Sequence, residues 1–179
     1  TAKNESVTEE DIRHMVDTGN ETGVIEESQC EMINNIFEFG DSTVSDVMTH
    51  RKDICAIDIN SKIGDIVYLA INEGYSRIPV YEGSKDNIVG ILPVNDFLGK
   101  YVRKEQITVR KMLLKPYVFD KKTEVSELLQ RMRLNKLHMV FICDENRKKL
   151  GVITMEDILE ELVGDIQDES DAGEGLQLM

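Results

Sequence analysis

The chain has 179 residues, of which 41% are hydrophobic and 31% are charged, a balance typical of a folded globular protein and not of a disordered one. Its net charge of −13 excludes a general nucleic-acid binder. The sequence has no run of 18 apolar residues that could cross a membrane, and its polar, acidic first residues do not have the pattern of a secretory signal.

The charges are distributed unevenly along the chain. Residues 1–41 contain 11 acids and two bases, residues 156–179 contain nine acids and no base, and the stretch between them has a net charge of +5. An anionic ligand would be attracted to that middle stretch and repelled by both ends. Solvated acidic helices and an acidic tail are the simpler interpretation of the two ends.

The three cysteines indicate neither a disulfide framework nor a zinc site. Cys30, Cys55 and Cys143 are an odd number without the close spacing of metal ligands. Cys55 and Cys143 lie in apolar segments, where a free cysteine usually acts as a small core residue. This usage indicates a reducing, cytosolic setting.

Two helices are predicted within residues 1–42. Thr8 and Asp11 form a capping-box pattern ahead of a first apolar stripe. A second helix should follow Gly23 and end at Gly40. Its apolar stripe contains Met32, Ile33, Ile36 and Phe37. That stripe needs a covering surface, either the following domain or a partner helix.

From Thr43 onward the sequence repeats itself. Residues 43–48 correspond to 108–113, and residues 89–98 correspond to 150–159. The offset between the copies is 65 residues at the start and 61 at the end, so the second copy is four residues shorter. A repeat of this length is long for a solenoid unit and predicts two small domains that share one core.

The first repeat (residues 43–105) and the second repeat (residues 106–166) have the same predicted order, β-α-β-β-α. Strands are predicted at residues 54–57, 78–81, 88–92, 117–119, 138–142 and 150–153. Closing helices are predicted at 94–101 and 155–163, and a turn at 83–87. Runs such as 139–142 are apolar throughout, which is typical of strands covered on both faces.

Each repeat ends in the pattern Gly-apolar-apolar-x-x-x-Asp before a helix, at residues 90–96 and 151–157. Two such units in tandem resemble a pair of CBS domains, also called a Bateman module. Four longer segments are similar to the CorC/HlyC and CNNM proteins, a haemolysin-like family linked to magnesium and cobalt efflux; they are residues 32–41, 44–49, 75–82 and 151–158. The resemblance covers residues 5–169.

The resemblance implies an α/β (α+β) fold of two β-α-β-β-α repeats related by a pseudo-two-fold axis and preceded by a helical linker. It implies a homodimeric regulatory module that binds an adenine nucleotide, ATP or AMP, on the cytoplasmic face of a membrane. The family organisation places a transmembrane domain before the linker (1–42) and a further domain after the acidic tail (167–179). A structural dimerisation module without a ligand is the alternative.

Neither an enzyme nor a dedicated metal site is predicted. The sequence shows no Ser/His/Asp or Cys/His arrangement and no Walker loop, and the histidines are isolated. Bound ATP would bring Mg²⁺ on its own phosphate oxygens. No group of acids in the sequence has the spacing of an EF-hand.

The predicted nucleotide site begins with Thr154 and Asp157. These residues alone predict a capping box at the start of a helix. The resemblance implies that the same hydroxyl and carboxylate hold the ribose, with Glu156 close by. In the first repeat Pro93 replaces the threonine although Asp96 remains, so that half loses a hydrogen-bonding group. One competent site is therefore expected.

The other half of that site is predicted in the first repeat. The planar guanidinium of Arg77 suits phosphate oxygens, whereas His138, taken as its counterpart, is a weaker anion partner. An ordinary surface ion pair is the alternative for Arg77. Tyr75 would stack on adenine, Ser76 would add a hydroxyl, and the loop of residues 49–54 would contact the base.

Overall fold

The computed structural model describes residues 6–164, which form eight helices and seven strands. In chain order they are α1 (Glu9–Glu21), α2 (Glu27–Asp41), α3 (Val44–Val47), β1 (Thr49–His50), β2 (Ile57–Asp58), α4 (Ile63–Glu73), β3 (Arg77–Glu82), β4 (Ser84–Pro93), α5 (Val94–Val102), α6 (Val109–Met112), β5 (Val118–Asp120), α7 (Val125–Leu134), β6 (Met139–Cys143), β7 (Lys149–Thr154) and α8 (Met155–Val163). The predicted acidic tail, 167–179, lies outside the described residues. No helix within 6–164 is long and apolar enough to cross a membrane.

The two repeats build matching sheets. In the first repeat β2 runs parallel to β3, and β3 pairs antiparallel with β4; in the second repeat β5, β6 and β7 are arranged in the same way. A parallel pair requires a crossover, and α4 and α7 supply it. The predicted order β-α-β-β-α is therefore confirmed for both repeats.

The beginning of each repeat packs on the other repeat. β1 belongs to the first repeat in sequence but pairs with β7, with Thr49 opposite Val152. In return, the backbone groups of Leu114 and Ile91 exchange two hydrogen bonds of 2.9 and 3.0 Å. This exchange joins the two repeats into one folded unit.

Close crossing of the exchanged segments explains the glycine of the repeated motif. A Cβ atom on Gly151 would lie 2.5 Å from the carbonyl oxygen of Thr49, and one on Gly90 would lie 2.6 Å from Cβ of Leu113. Such distances are too short for a side chain, so only glycine lets the arriving segment approach.

Side chains of β6 alternate between two apolar clusters. Val140 and Ile142 are fully buried in the core of the second repeat, under its helices. Phe141 points the other way and packs with Ile91 and Val152, which come from both repeats. The prediction of strands covered on both faces is confirmed for this strand.

The helical hairpin of α1 and α2 packs on the second repeat. The capping box predicted for Thr8 and Asp11 is present. Arg13 holds the two helices together, since its guanidinium lies 4.8 Å from the ring centroid of Phe37 and donates to Asn34 Oδ1 at 2.9 Å. Phe39 packs against the second-repeat core. The predicted stripe of α2 is therefore only partly covered: Phe37 packs against Arg13 of α1, whereas Met32 and Ile36 remain 39% and 56% exposed.

Three local predictions are wrong at their boundaries. The strand expected at 54–57 begins only at Ile57, because residues 51–56 form a loop that borders a cleft. The turn expected at 83–87 consists of Gly83 alone, whose φ of +75° lets the chain reverse, and β4 begins at the next residue. Gly40 lies inside α2 and does not end it.

Candidate functional site: a cleft between the repeats

A cleft of about 280 Å³ lies between the two repeats and contains four of the six predicted site residues. Arg77 stands at the start of β3 and Tyr75 just before it, whereas Thr154 ends β7 and Asp157 lies in the first turn of α8. The lining residues are Thr49, Asp53, Ile54, Cys55, Tyr75, Arg77, Pro79, Met139, Val152, Thr154 and Asp157. The volume lies just below the usual range of small-molecule pockets, about 300–1,000 Å³.

Thr154 and Asp157 form the capping box predicted for them. The backbone N–H of Thr154 donates to Asp157 Oδ2 at 2.7 Å, and the backbone N–H of Asp157 donates to Thr154 Oγ1 at 3.2 Å. Oδ1 of Asp157 accepts no hydrogen bond from any residue within 6–164. This box stands in the cleft wall and keeps an acceptor oxygen for a ligand.

In two other capping boxes, the threonine hydroxyl donates to the aspartate of the same box. The hydroxyls of Thr8 and Thr43 each donate to Oδ2 of their own aspartate, Asp11 or Asp46, at 2.7 Å. Hydrogen bonds from these threonines lower the pKa of both aspartates. The Thr154 hydroxyl has no such acceptor among the described residues. It therefore retains a donor that helix capping does not need.

The opposite wall of the cleft comes from the first repeat. Tyr75, Arg77 and Pro79 follow each other at intervals of two residues, as side chains on one face of an extended segment do. Tyr75 is 42% exposed, and Arg77 is half-buried. Arg77 makes no salt bridge with any residue in the described range. An ordinary surface ion pair is therefore not its role within this part of the chain.

The floor of the cleft is largely apolar. Ile54 and Cys55 of the loop face Met139 and Val152 of the second repeat. Burial raises the pKa of the Cys55 thiol, with a further increase from the charge of Glu73, so this side chain stays neutral. An apolar floor between a cation and a hydroxyl–carboxylate pair suits a ligand that has an apolar ring and polar ends.

Two predicted site residues do not line the cleft. The carbonyl oxygen of Ser76 accepts a hydrogen bond of 3.0 Å from the backbone N–H of Val94, and Glu156 is exposed on the first turn of α8. Both are chain neighbours of lining residues, and their side chains contribute nothing to the lining.

Strand register corrects the counterpart of Arg77. Arg77 lies opposite Pro93, and Met139 lies opposite Thr154, so Met139 and not His138 occupies the matching position. The shorter second repeat makes a sequence match ambiguous by one residue, and hydrogen bonding between the strands removes that ambiguity. Methionine carries no charge at all, which increases the asymmetry between the repeats.

Sequence reasoning missed four lining residues: Cys55, Pro79, Met139 and Val152. Two of them could have been found from strand alternation, because Pro79 is two residues after Arg77 and Val152 is two residues before Thr154. Met139 required the register of β6 with β7, and Cys55 required the path of the loop.

The equivalent position in the first repeat has different chemistry. Pro93 begins α5 without any side-chain cap. Asp96 lines another surface cleft, together with Lys100, Arg103 and Lys111. The first-repeat junction therefore lacks the hydroxyl–carboxylate pair that Thr154 and Asp157 form in the second repeat.

Residues 44–103 and residues 106–164 each match the family model of the CBS domain. The chain therefore belongs to the CBS-domain family and contains two CBS domains in tandem. CBS domain pairs are regulatory modules rather than catalytic domains, and the match indicates no enzymatic family.

Two curated relatives show the same family in longer proteins. A chloroplastic DUF21 domain-containing protein of Arabidopsis thaliana is 39% identical over 176 residues, which cover 96% of this chain and 27% of the relative. UPF0053 protein YugS of Bacillus subtilis strain 168 is 32% identical over 168 residues, which cover 94% of this chain and 39% of the relative. The chain thus spans about a quarter to two fifths of the length of these relatives.

Solved structures confirm the predicted fold and the predicted resemblance. The CBS domain of a bacterial CNNM/CorC family Mg²⁺ transporter is 33% identical with a TM-score of 0.78, covering 91% of this chain and all of that one. The CBS domain of the bacterial CNNM/CorC family transporter in complex with ATP is 35% identical with a TM-score of 0.69, covering 76% and 97%. A CBS pair with bound AMP from Klebsiella pneumoniae is 29% identical with a TM-score of 0.59, covering 68% and 98%.

Proposed function

We propose that this CBS pair is the regulatory, adenine-nucleotide-binding part of a membrane protein that transports or exports Mg²⁺ or Co²⁺. Similar CBS domains bind ATP or AMP, and one group of them belongs to Mg²⁺ transporters. The observation that carries the proposal is the cleft that combines Arg77 of one repeat with Thr154 and Asp157 of the other. Capping of α8 explains Thr154 and Asp157 alone, and it does not explain Arg77, which forms no salt bridge within residues 6–164.

In the proposed complex, the ribose hydroxyls bind Asp157 and Thr154. Oδ1 of the carboxylate accepts from the ribose, and the Thr154 hydroxyl donates to it, since capping uses only the other lone pairs of these groups. The adenine lies on the apolar floor near Ile54, with Tyr75 as a stacking partner. Ser76 and Glu156 are neighbours of this complex.

The phosphates of the nucleotide lie towards Arg77, whose guanidinium matches phosphate oxygens. Mg²⁺ would arrive with ATP on those oxygens. Within residues 6–164, no group of three or more His, Cys, Asp or Glu side chains is arranged to hold a metal ion. The proposal therefore assigns the metal to the nucleotide.

The regulatory part of the proposal places the module as a homodimer on the cytoplasmic face of the membrane. Residues 1–42 would connect it to a transmembrane domain. Nucleotide binding would favour one arrangement of the two CBS pairs over another, and so bias the transport domain. The size of that bias is limited by the ratio of nucleotide affinities of the two arrangements.

Calorimetry with ATP, ADP and AMP, with and without Mg²⁺, tests the proposal. We expect one nucleotide per chain, with affinity reduced about tenfold or more by Thr154→Val and by Asp157→Asn, because each removes a hydrogen bond to the ribose. The amide oxygen of Asn can still accept from the backbone N–H of Thr154, so Asp157→Asn should keep the fold. Asp96→Asn is the matched control and should change the affinity less than about twofold, since Asp96 lies outside the cleft.

No heat with any nucleotide at millimolar concentration, or unchanged affinity in Thr154→Val, would leave only the dimerisation module. A second readout is maleimide labelling of the cysteines. Cys55 lines the cleft and Cys30 lies on α2, so a bound nucleotide should slow the labelling of Cys55 alone. Equal protection of both thiols would indicate a general tightening of the protein.

A further inference from the structure

A second pocket lies on the other side of the loop that borders the nucleotide cleft. It has a volume of about 220 Å³ and lies between the loop of residues 51–56, the β3–β4 hairpin and the start of β7. Four cations line it, Arg51, Lys52, Lys85 and Lys149, with Asp86 as the one carboxylate. Nothing in the nucleotide proposal uses this pocket.

The charges in this pocket are not balanced. Arg51 forms a salt bridge with Asp86, which neutralises both groups. Lys149 Nζ donates to the backbone oxygen of Asp86 at 3.3 Å, a contact that orients the ammonium group without cancelling its charge. Lys52 and Lys85, like Lys149, form no salt bridge with a residue in the described part of the chain. Three lysines without a salt bridge in the described range thus line one small pocket.

Convergence of like charges raises the free energy of the empty pocket, and an anion relieves it. Lysine ammonium groups bind phosphate as point charges. Three of them match a phosphate, which has close to two negative charges near neutral pH, better than a singly charged carboxylate. The pocket therefore selects for a multiply charged anion.

The floor of the pocket is apolar and rigid. Phe141 is 1% exposed and belongs to the cluster that joins the repeats, and Ile54 and Ile88 pack against that cluster. All three residues line the pocket beneath the cations. Phe141 is already covered, but Ile54 and Ile88 are only half-buried, so a bare inorganic ion would leave their apolar surface exposed, whereas an ester of phosphate with an apolar or aromatic group would cover it.

We propose that this pocket is a second anion site, which binds a phosphate ester. Its phosphate contacts Lys52, Lys85 and Lys149, and its carbon portion lies on Ile54 and Ile88. The site is independent of the nucleotide cleft, although Ile54 borders both. The phosphate ester could be a free small molecule or a lipid headgroup, and the experiment separates these two sources.

Phenyl phosphate is the probe, titrated by calorimetry into the full chain at low ionic strength, where screening is weak. We expect Lys149→Gln and Lys85→Gln each to weaken binding about tenfold, because each removes one charged partner of the phosphate. Lys148→Gln is the matched control: it removes the same charge from the next residue, which is exposed and outside the pocket. Lys148→Gln and Arg77→Gln should stay within about twofold of the unaltered chain.

Inorganic phosphate should bind about tenfold more weakly than phenyl phosphate, since it leaves the apolar floor exposed. Vesicles that contain phosphatidic acid, whose phosphate is a monoester like that of phenyl phosphate, form a second arm, read by co-sedimentation. Binding to vesicles that Lys149→Gln abolishes, without binding of phenyl phosphate, would assign the phosphate to a lipid headgroup. Absence of binding in both arms, or equal affinity of Lys149→Gln and Lys148→Gln, would overturn the proposal.

Discussion

The two CBS repeats have the same backbone and different clefts. At the junction of β7 and α8, Thr154 and Asp157 present a hydroxyl and a carboxylate, whereas Pro93 occupies the matching junction of β4 and α5 without a side-chain cap. Across the cleft, Arg77 in one half corresponds to Met139 in the other. Sheet pairing keeps the backbone positions equivalent, so a few side chains make the two clefts chemically different.

The helical faces of the two repeats differ as well. α2 packs on the second repeat, where Phe39 contacts the core. On α4 of the first repeat, Tyr68 and Ile71 are 71% and 66% exposed. The pseudo-two-fold symmetry thus holds for the sheets and the exchanged segments, and the preceding hairpin breaks it at the surface.

The largest expected effect concerns a feature that both repeats share, the glycine under the exchanged segment. Gly151→Ala should lower the free energy of unfolding by about 2–3 kcal/mol, because the new Cβ would meet the carbonyl oxygen of Thr49 and overpack a backbone crossing. Gly90→Ala should also destabilise the protein. Urea denaturation measures both variants.

Gly64→Ala is the control for these glycines, since a Cβ at this position in α4 meets nothing within 4 Å. It should stabilise the protein by up to about 1 kcal/mol through helix propensity. If Gly151→Ala were as stable as the unaltered chain, the close crossing of β1 over β7 would be wrong.

A smaller effect tests whether the first segment of each repeat packs on the other repeat. Val44→Ala should cost about 2 kcal/mol, since Val44 is fully buried. Its neighbours belong to the second repeat although the residue belongs to the first, so hydrogen exchange should accelerate most in β6 and β7. Val109→Ala should instead affect β3 and β4, because Val109 packs in the first-repeat core. If hydrogen exchange accelerated only in the repeat that contains the mutated residue, the packing of each initial segment on the other repeat would be wrong.

The smallest expected effect concerns the capping box of Thr43 and Asp46, which lies outside the cleft. Thr43→Val removes the hydroxyl that donates to Asp46, so the pKa of Asp46 should rise towards its usual value in an NMR titration. A lowered pKa in the folded state contributes stability that is lost as the pH falls through that pKa. The free energy of unfolding of Thr43→Val should therefore decrease less at acid pH than that of the unaltered chain. Asp11, in a separate box, should titrate unchanged.

Much of the fold was predictable from local patterns. The repeat, the strand order and the capping boxes of Thr8 and Thr154 follow from apolar periodicity and short-range hydrogen bonding, which depend on neighbouring residues. The strand predicted at 54–57 failed because Ile54 and Cys55 are apolar for a different reason: they border a cleft and pair with no strand. A run of apolar residues cannot distinguish these two kinds of burial.

Part of the candidate site was predictable as well. Thr154 and Asp157 were found from a motif in one stretch of chain, and Arg77 and Tyr75 from another, and the structure brings these four together in one cleft. The counterpart of Arg77 was misassigned by one residue, since only the pairing of β6 with β7 sets that register.

The sequence by itself determined that the chain contains two related units, what each unit is built from, and that one junction has lost its threonine to Pro93. Only the tertiary structure decided that the first segment of each repeat packs on the other repeat, close to Gly151 or Gly90. It also decided that four lysine and arginine side chains line a second pocket. Helices and turns arise from contacts a few residues apart, whereas clefts arise from segments that are distant in the chain. The charge pattern alone therefore could not reveal where the two proposed anion sites lie.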